Sequence, residues 1–169
     1  MDSMDIDIRT PAATDGCYVN QLVGNIPELD DNSTYCNLLQ CTHFSQTSAI
    51  ALDADKVMGF ISGYQRPDMP DTLFIWQVAV HPEARGRGLA SAMLEHIMTR
   101  PHCQDIRFLE TTITEQNAAS WALFERFARD WSAPLQRSVV FERVEHFLDQ
   151  HDTELLARIG PFISRTLRI

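Results

Sequence analysis

The sequence contains one segment whose residue types and spacing suit the binding of a phosphate. It reads Arg85-Gly86-Arg87-Gly88-Leu89-Ala90 and lies between an apolar run and an amphipathic one. The first N–H groups of a helix have no acceptor within that helix, and the helix dipole favours an anion beside them. Glycine leaves the main chain open to a phosphate, and the arginines add positive charge. The segment therefore predicts a loop that binds a diphosphate.

Other known glycine motifs fit this segment less well than a diphosphate-binding loop does. A dinucleotide-binding G-x-G-x-x-G loop needs a third glycine, and an ATP-binding loop needs Gly-Lys-Ser/Thr; both are missing here. An Arg-Gly segment that binds nucleic acid is disfavoured by the formal net charge of −9, because such binding starts from clustered positive charge. A tight turn that binds nothing is the remaining alternative.

The elements that must position this loop follow from the spacing of apolar residues. Residues 73–80 are almost wholly apolar, which predicts a central strand covered on both faces. After the loop, helical spacing directs five residues inward: Leu89, Met93, Leu94, Ile97 and Met98. Further strands are predicted at residues 6–10, 48–53, 56–64, 106–113 and 136–141. Residues 65–71 are predicted to form a loop, and residues 152–158 a short helix.

Three more helices complete the predicted pattern. The first carries Val19, Leu22, Val23 and Ile26 and ends at Pro27. The second begins after Asn32 or Ser33, and its expected apolar face carries Tyr35, Leu38 and Leu39. The third begins at Asn117, with an expected buried stripe of Ala119, Leu123, Phe124, Phe127 and Trp131. The order of elements predicts a mixed α/β sheet with helices on both faces.

Composition limits the class of protein. A length of 169 residues predicts a single domain over residues 1–169. No apolar run is long enough to span a bilayer, and the acidic start lacks the apolar part of a signal peptide, so a cytoplasmic protein with no membrane partner is expected. The cysteines (Cys17, Cys36, Cys41 and Cys103) lack zinc-ligand spacing, so structural thiols and no metal are expected. The acidic balance argues against a nucleic-acid partner; it suits a cationic substrate or a salt-rich cytoplasm, or only maintains solubility.

Two motifs resemble the GNAT superfamily of N-acetyltransferases. Arg85-x-x-Gly88-x-Ala90 matches the pyrophosphate signature Arg/Gln-x-x-Gly-x-Gly/Ala, which follows a strand in that superfamily. Residues 117–124 resemble its Asn-x-x-A-x-x-Leu-Tyr segment, with Phe124 in place of the tyrosine. The resemblance implies an α/β GNAT fold with a mixed, mostly antiparallel sheet whose fourth and fifth strands splay apart.

The same resemblance implies acetyl-CoA as co-substrate. Main-chain groups of the central strand would pair with the pantetheine arm, the glycine loop would hold the pyrophosphate, and Asn117 would lie near the thiol. The implied coenzyme-binding residues are Gln77, Val78, Ala79, Val80, Arg85, Gly86, Arg87, Gly88, Leu89, Ala90 and Asn117. Many family members protonate the leaving thiolate with the tyrosine that Phe124 replaces. This departure leaves a non-catalytic acyl-CoA-binding module as an alternative.

Longer stretches resemble the L-2,4-diaminobutyrate acetyltransferases of ectoine synthesis. They include residues 27–44, 59–64, 70–80, 107–112 and 159–162, so the resemblance covers most of the chain. It implies transfer of an acetyl group to the γ-amine of L-2,4-diaminobutyrate. It also implies a homodimer in a halotolerant bacterium under osmotic stress. Another small diamine or a peptide amine is the alternative acceptor.

Candidates for the acceptor site combine negative charge with aromatic surface. Asp30 and Asp31 can hold an ammonium group, although Asp31 or Asn32 can instead cap the following helix. Tyr35 can form a hydrogen bond with the substrate or be a core tyrosine. Trp76 is either a packing residue or a wall of the amine pocket, and the resemblance favours the pocket.

The remaining candidates are acid–base groups. Glu110 is a candidate general base, directly or through water, or else a satisfied strand carboxylate. Glu154 and His151 would close the site, or be surface residues on a short helix. The candidate catalytic residues are Glu110, Tyr35 and Trp76, and the candidate substrate-binding residues are Asp30, Asp31, Tyr35, Trp76 and Glu154. We expect direct attack by the amine, with a main-chain N–H near Val78 stabilising the carbonyl oxygen.

Overall fold

The computed structural model describes residues 3–163. Its strands are β1 (Ile6–Arg9), β2 (Ala49–Asp53), β3 (Lys56–Arg66), β4 (Met69–Val80), β5 (Phe108–Thr114), β6 (Leu135–Phe141) and β7 (Glu154–Ile159). Its α-helices are α1 (Gly16–Gly24), α2 (Thr34–Thr42), α3 (Leu89–Met98) and α4 (Ala118–Asp130). The strands form one sheet in the order β1-β2-β3-β4-β5-β7-β6. The β4–β5 pair is parallel, whereas β1–β2, β2–β3, β5–β7 and β6–β7 are antiparallel, which confirms a mixed, mostly antiparallel sheet.

The chain divides into two compact units. The first contains the described residues up to Tyr64 together with Ile75–Gln104. The second contains Gln65–Phe74 together with the described residues from Asp105 onward. A single domain over residues 1–169 stays a prediction.

The core of the first unit is formed by α1 and the strands beneath it. The side chains predicted to face inward pack with Ile50 and Phe60 in one buried cluster; they are Val19, Leu22 and Val23 of α1, and Ile26, two residues after its end. On α3, the five residues predicted to be buried are the five that the structure buries. Gly59 of β3 permits close packing of α3, because a Cβ at this position would lie 2.7 Å from Met93 Cε. The 3.6-residue spacing therefore located both buried faces correctly.

The buried face of α2 differs from the predicted one. Asn37, Gln40 and Cys41 are buried, whereas Tyr35 is 70% exposed. Asn37 Nδ2 donates to Gln40 Oε1 at 2.9 Å, and amides that form hydrogen bonds with each other can be buried. A prediction based on apolar residues alone therefore missed this face. The core alternative for Tyr35 is therefore wrong.

The part of β4 that lies in the first unit is buried on one face only. Ile75 and Ala79 are each 1% exposed, whereas Trp76 is 48% exposed. The prediction of a strand covered on both faces is therefore wrong for Trp76. Side chains alternate between the two faces of a strand, and the apolar composition of β4 did not show which face is covered.

The predicted loop at residues 65–71 is instead a hairpin in the second unit. β3 continues to Arg66 and β4 begins at Met69, so only Pro67 and Asp68 form the turn. Gln65 Nε2 donates to the carbonyl of Pro70 at 3.3 Å across the two strands. The prolines and aspartates that suggested a loop cluster at a two-residue turn and its immediate flank.

The predicted helix at residues 152–158 is a strand. Residues 154–159 of β7 pair with β5 on one side and β6 on the other, so inter-strand hydrogen bonds override the weak helical pattern. On α4, Phe124 and Phe127 are buried as predicted, but Ala119 is exposed and the buried face is completed by Trp121 and Ala128.

Candidate active site

The glycine loop leads directly into α3, as the sequence predicts. Gly86 and Gly88 both have φ of +74°, a left-handed conformation that residues with a Cβ rarely adopt. Gly88 is the N-cap of α3 and provides no side-chain acceptor, so the first N–H groups of the helix keep no side-chain cap. A Cβ at either glycine would meet nothing within 4 Å, so the space beside both glycines is open. This loop can accept an anion along its main chain.

Arginines supply positive charge beside these N–H groups. Arg85 and Arg87 are exposed, and Arg85 Nη2 lies 3.7 Å from Glu28 Oε2 in an exposed ion pair. Exposed pairs of this length contribute little to stability, so an incoming phosphate can replace the carboxylate. The geometry therefore provides the donors and charge that a diphosphate requires.

The acidic loop, residues 30–32, is attached to β4 through side-chain amides. Asn32 Nδ2 donates to Gln77 Oε1 at 2.8 Å, and Gln77 Nε2 donates to the carbonyl of Asp30 at 3.1 Å. Asp30 and Asp31 are exposed, and no ion pair of their carboxylates is found within residues 3–163. These two carboxylates are available to a cationic ligand.

The cap of α2 settles one alternative for this loop. Ser33 is the N-cap, and its Oγ accepts a hydrogen bond from the N–H of Cys36 at 3.0 Å. The alternative in which Asp31 or Asn32 caps the helix is therefore wrong, and Ser33, the other candidate at the start of this helix, is confirmed as the cap.

An aromatic cluster lies in the same unit. Trp76 packs edge-on against Tyr64 with ring centroids 6.1 Å apart, and Tyr64 contacts Phe44 at 5.8 Å. Because Trp76 is half exposed while one side contacts Tyr64, it forms a supported aromatic surface. This arrangement suits a pocket wall better than a core residue.

In the second unit, Glu110 is held by two arginines. Its side chain is 2% exposed; Oε2 accepts from Arg66 Nη1 at 2.8 Å and Oε1 accepts from Arg158 Nη1. Hydrogen bonds to Asp68 and Glu110 raise the pKa of Arg66, and its guanidinium lowers the pKa of Asp68. Glu110 is therefore buried with a hydrogen bond to each of its oxygens, which matches the alternative of a satisfied strand carboxylate.

Sequence reasoning missed these arginine partners because their surroundings were assigned wrongly. Arg66 falls in the predicted loop, and Arg158 falls in the predicted helix. In the observed register, Arg158 lies directly opposite Glu110 across the β5–β7 pair. A strand assignment for residues 154–159 would have indicated this cross-strand ion pair.

The other second-unit candidates have structural contacts of their own. Asn117 caps α4, and its Oδ1 accepts from the N–H of Ser120 at 3.2 Å, which leaves Nδ2 for a ligand. Phe124 is 2% exposed and has no acidic hydrogen to donate. His151 Nε2 lies 3.8 Å from Glu154 Oε1 at the start of β7, so the short-helix context expected for both is wrong.

Within residues 3–163 the structure indicates no metal site, and it does not favour Cys36 or Cys41 as a nucleophile. In the described part of the chain, no group of three or more His, Cys, Asp or Glu side chains is arranged to hold a metal ion. Burial raises the pKa of Cys36, and it raises that of Cys41 to about 12, so both thiols are poor nucleophiles at neutral pH. Among residues 3–163, no helix has both the length and the apolar character that a membrane crossing requires.

Comparison with known proteins agrees with the predicted fold. Residues 18–128 match the acetyltransferase (GNAT) family. The structure of diaminobutyrate acetyltransferase EctA from Paenibacillus lautus, in complex with L-2,4-diaminobutyric acid and coenzyme A, is similar with a TM-score of 0.90. It is 39% identical, and the match covers 95% of this chain and 98% of that one. The ribosomal-protein-S18-alanine N-acetyltransferase of Escherichia coli, at 16% identity and a TM-score of 0.68, shares the fold.

Sequence relatives narrow the family. The chain is 51% identical over 157 residues to an L-2,4-diaminobutyric acid acetyltransferase of Methylotuvimicrobium alcaliphilum, covering 93% of this chain and 91% of that protein. It is 46% identical over 156 residues to the protein of the same name from Halomonas elongata, covering 92% of this chain and 81% of that protein. The chain therefore belongs to the acetyltransferase (GNAT) family and, within it, to the L-2,4-diaminobutyric acid acetyltransferases.

Proposed function

We propose that this chain transfers the acetyl group of acetyl-CoA to the γ-amine of L-2,4-diaminobutyrate, giving Nγ-acetyl-diaminobutyrate. The observation that carries the proposal is the similarity, over 95% of the chain, to a structure in complex with that amino acid and coenzyme A. The relatives at 51% and 46% identity carry the same activity in their names.

The glycine loop fits the pyrophosphate of the coenzyme. Gly86 and Gly88 keep side chains away from the start of α3, where uncapped N–H groups can donate to phosphate oxygens. Arg85 and Arg87 add charge on the exposed side of the loop. When bound, acetyl-CoA supplies an activated thioester, and the main chain from Gln77 to Val80 would align its pantetheine arm.

The acidic loop fits the ammonium group of the amino acid. Diaminobutyrate carries two amines, and selective transfer requires that the α-ammonium be held while the γ-amine is free to react. Asp30 and Asp31 offer carboxylates with no ion pair among the described residues, and a half-exposed Trp76 offers a flat wall for the short carbon chain. Tyr35, which is 70% exposed, stays a candidate hydrogen-bond partner.

The reaction also requires two proton transfers. The γ-ammonium must lose a proton, because only the neutral amine attacks a carbonyl. Glu110 stays the candidate base, and its two oxygens accept hydrogen bonds from Arg66 and Arg158. Phe124 has no hydroxyl group, so we propose that solvent protonates the departing thiolate.

A comparison of acceptors tests the proposal. The purified chain is incubated with acetyl-CoA and, in turn, L-2,4-diaminobutyrate, ornithine, lysine and a peptide with a free N-terminus. We expect kcat/KM for diaminobutyrate to exceed that for the other acceptors by about tenfold or more, since pocket length discriminates single methylenes to this extent. Preference for the peptide would indicate a protein acetyltransferase. Coenzyme binding without any acetylated product would indicate an acyl-CoA-binding module.

We also propose a homodimer in the bacterial cytoplasm, active under osmotic stress and without nucleic-acid or membrane partners. Support for the dimer comes from β6, the last strand in the sheet order, where Val139 and Phe141 are 55% and 43% exposed. Val144 and Leu148 on the following segment are 71% and 75% exposed. Exposed apolar side chains on an edge strand suit a second copy of the chain. Sedimentation should give twice the 19.2 kDa mass of one chain, and a monomer would contradict the dimer.

A further inference from the structure

A chain of amide side chains connects the interior of the first unit to the acidic loop. Asn37 Nδ2 donates to Gln40 Oε1 at 2.9 Å, and Asn20 Nδ2 donates to Asn37 Oδ1 at 3.0 Å. Asn20 Nδ2 also donates to the carbonyl of Asn32 at 2.8 Å. Asn37 and Gln40 are 0% and 1% exposed, whereas Asn20 is half-buried. The chain of hydrogen bonds therefore begins in the core and ends at the loop.

A second set of bonds holds the same loop from β4. Gln77 accepts from Asn32 Nδ2 at 2.8 Å and donates to the carbonyl of Asp30 at 3.1 Å. The carbonyls on both sides of Asp31 are thus fixed, one by Gln77 and the other by Asn20. The carboxylates of Asp30 and Asp31 take no part in these hydrogen bonds, and both residues are exposed.

Buried amides are an unusual way to fill a core. Burying an amide is unfavourable unless its hydrogen bonds are made, and apolar side chains of similar size would pack without that requirement. Gln40 Nε2 is buried without a hydrogen-bond partner in the described residues, so part of the cost of burying these amides is not offset. Such a network restricts the backbone it contacts to one arrangement, which is what a charged binding loop needs.

We propose that Asn20, Asn32 and Gln77 are positioning residues that set the place of the Asp30 and Asp31 carboxylates, and that they thereby determine which diamine length the enzyme accepts. This inference rests on the proposed function. An ammonium group held at a fixed point leaves the second amine at a distance set by the number of methylenes between them. A loosened loop would accept longer diamines and would hold diaminobutyrate less well.

The Asn32→Ala variant tests the proposal. It removes the side-chain bond to Gln77, and the side chain is only half-buried, so folding should be preserved. We expect the KM for diaminobutyrate to rise about tenfold, as expected for loss of one well-placed hydrogen bond, while the KM for acetyl-CoA changes by less than about twofold. The preference for diaminobutyrate over ornithine should fall by a similar factor. Asn25→Ala, at an exposed asparagine that ends α1, is the matched control and should change neither value.

A second variant separates positioning from a general loss of stability. Gln77→Met removes both the acceptor for Asn32 and the donor to the Asp30 carbonyl, and it adds no charge and changes the side-chain volume little. It should also weaken diaminobutyrate binding and leave the melting temperature close to that of the unaltered chain. Equal increases in both KM values, or an unchanged ratio of diaminobutyrate to ornithine, would overturn the proposal. If the unaltered chain does not acetylate diaminobutyrate at all, the proposed function fails first, so the two failures are distinguishable.

Discussion

Acidic side chains have opposite environments in two regions of the molecule. In the loop before α2, Asp30 and Asp31 are exposed, and no ion pair of theirs occurs in the described part of the chain. In β5, Glu110 is 2% exposed and accepts hydrogen bonds from Arg66 and Arg158. A buried charge with complete partners supports the fold, whereas an exposed charge without internal partners is available to a ligand. Substitutions at Glu110 should therefore change stability, and substitutions in the ligand-facing loops should change substrate affinity.

The largest expected effect is that of Glu110→Gln. The variant removes the charge between two partly buried guanidinium groups, so we expect the free energy of unfolding to fall by about 3 kcal/mol. Chemical denaturation measures this value. The control is Glu115→Gln, an exposed position at which the change should stay within about 0.5 kcal/mol. Unchanged stability together with a large loss of kcat and an altered pH profile would identify Glu110 as the base instead.

The glycine loop should respond to substitution with a loss of coenzyme affinity. Gly88→Val forces a β-branched residue to a φ of +74° and places its side chain in front of the uncapped N–H groups of α3. We expect the KM for acetyl-CoA to rise about 100-fold because the phosphates can no longer approach. Gly24→Ala, where an added Cβ also meets nothing, is the control. Equal kinetics for the two variants would place the coenzyme elsewhere.

A smaller effect is expected at Trp76. Trp76→Ala removes the exposed ring but leaves the main chain of β4 in place, so the KM for diaminobutyrate should rise about tenfold. The KM for acetyl-CoA should change little. Steady-state kinetics with each substrate varied in turn distinguishes these effects, and a proportional loss of affinity for both substrates would show that Trp76 only supports the fold.

The smallest expected effect is a pH dependence of stability at α3. Burial, followed by the charge of Arg100, lowers the pKa of His96 below its ordinary value of 6.5. His96 Nδ1 lies 3.3 and 3.1 Å from the Arg100 nitrogens, so protonation would remove this acceptor. The folded chain binds fewer protons than the unfolded chain here, so the stability is present above pH 6.5 and is lost as the pH falls below it.

Thermal unfolding between pH 7 and pH 5 measures this dependence, with His96→Gln as the comparison. The variant should lose part of the decline in melting temperature that the unaltered chain shows on acidification. Identical declines in both proteins would show that His96 does not contribute.

Most elements could be predicted from the sequence because their apolar spacing is regular. The five buried positions of α3 follow a 3.6-residue repeat, and the glycine loop directly precedes this helix as predicted. The wrong secondary-structure predictions lie in segments where the spacing of apolar residues indicates neither a helix nor a strand. Residues 154–159 contain adjacent leucines that fit neither period well, and only pairing with β5 and β6 makes them a strand.

The sequence could predict which residues are candidates for the site but not the hydrogen bonds between their side chains. Asp30, Asp31 and Trp76 are identified by charge, aromatic character and resemblance, and the structure leaves all three accessible. The side-chain partners of Gln77 could not be inferred, because Asn32 lies 45 residues away along the chain. Long-range contacts between polar side chains leave no periodic signal in a single sequence.

The proposed reaction places the acetyl group on one particular nitrogen of diaminobutyrate. The most direct measurement is the reaction of the purified chain with acetyl-CoA labelled with ¹³C at the carbonyl, followed by NMR of the product. We predict a coupling between the labelled carbonyl and the γ-methylene protons, as in Nγ-acetyl-diaminobutyrate. Acetylation of the α-amine, or the absence of an acetylated product, would contradict the proposed reaction.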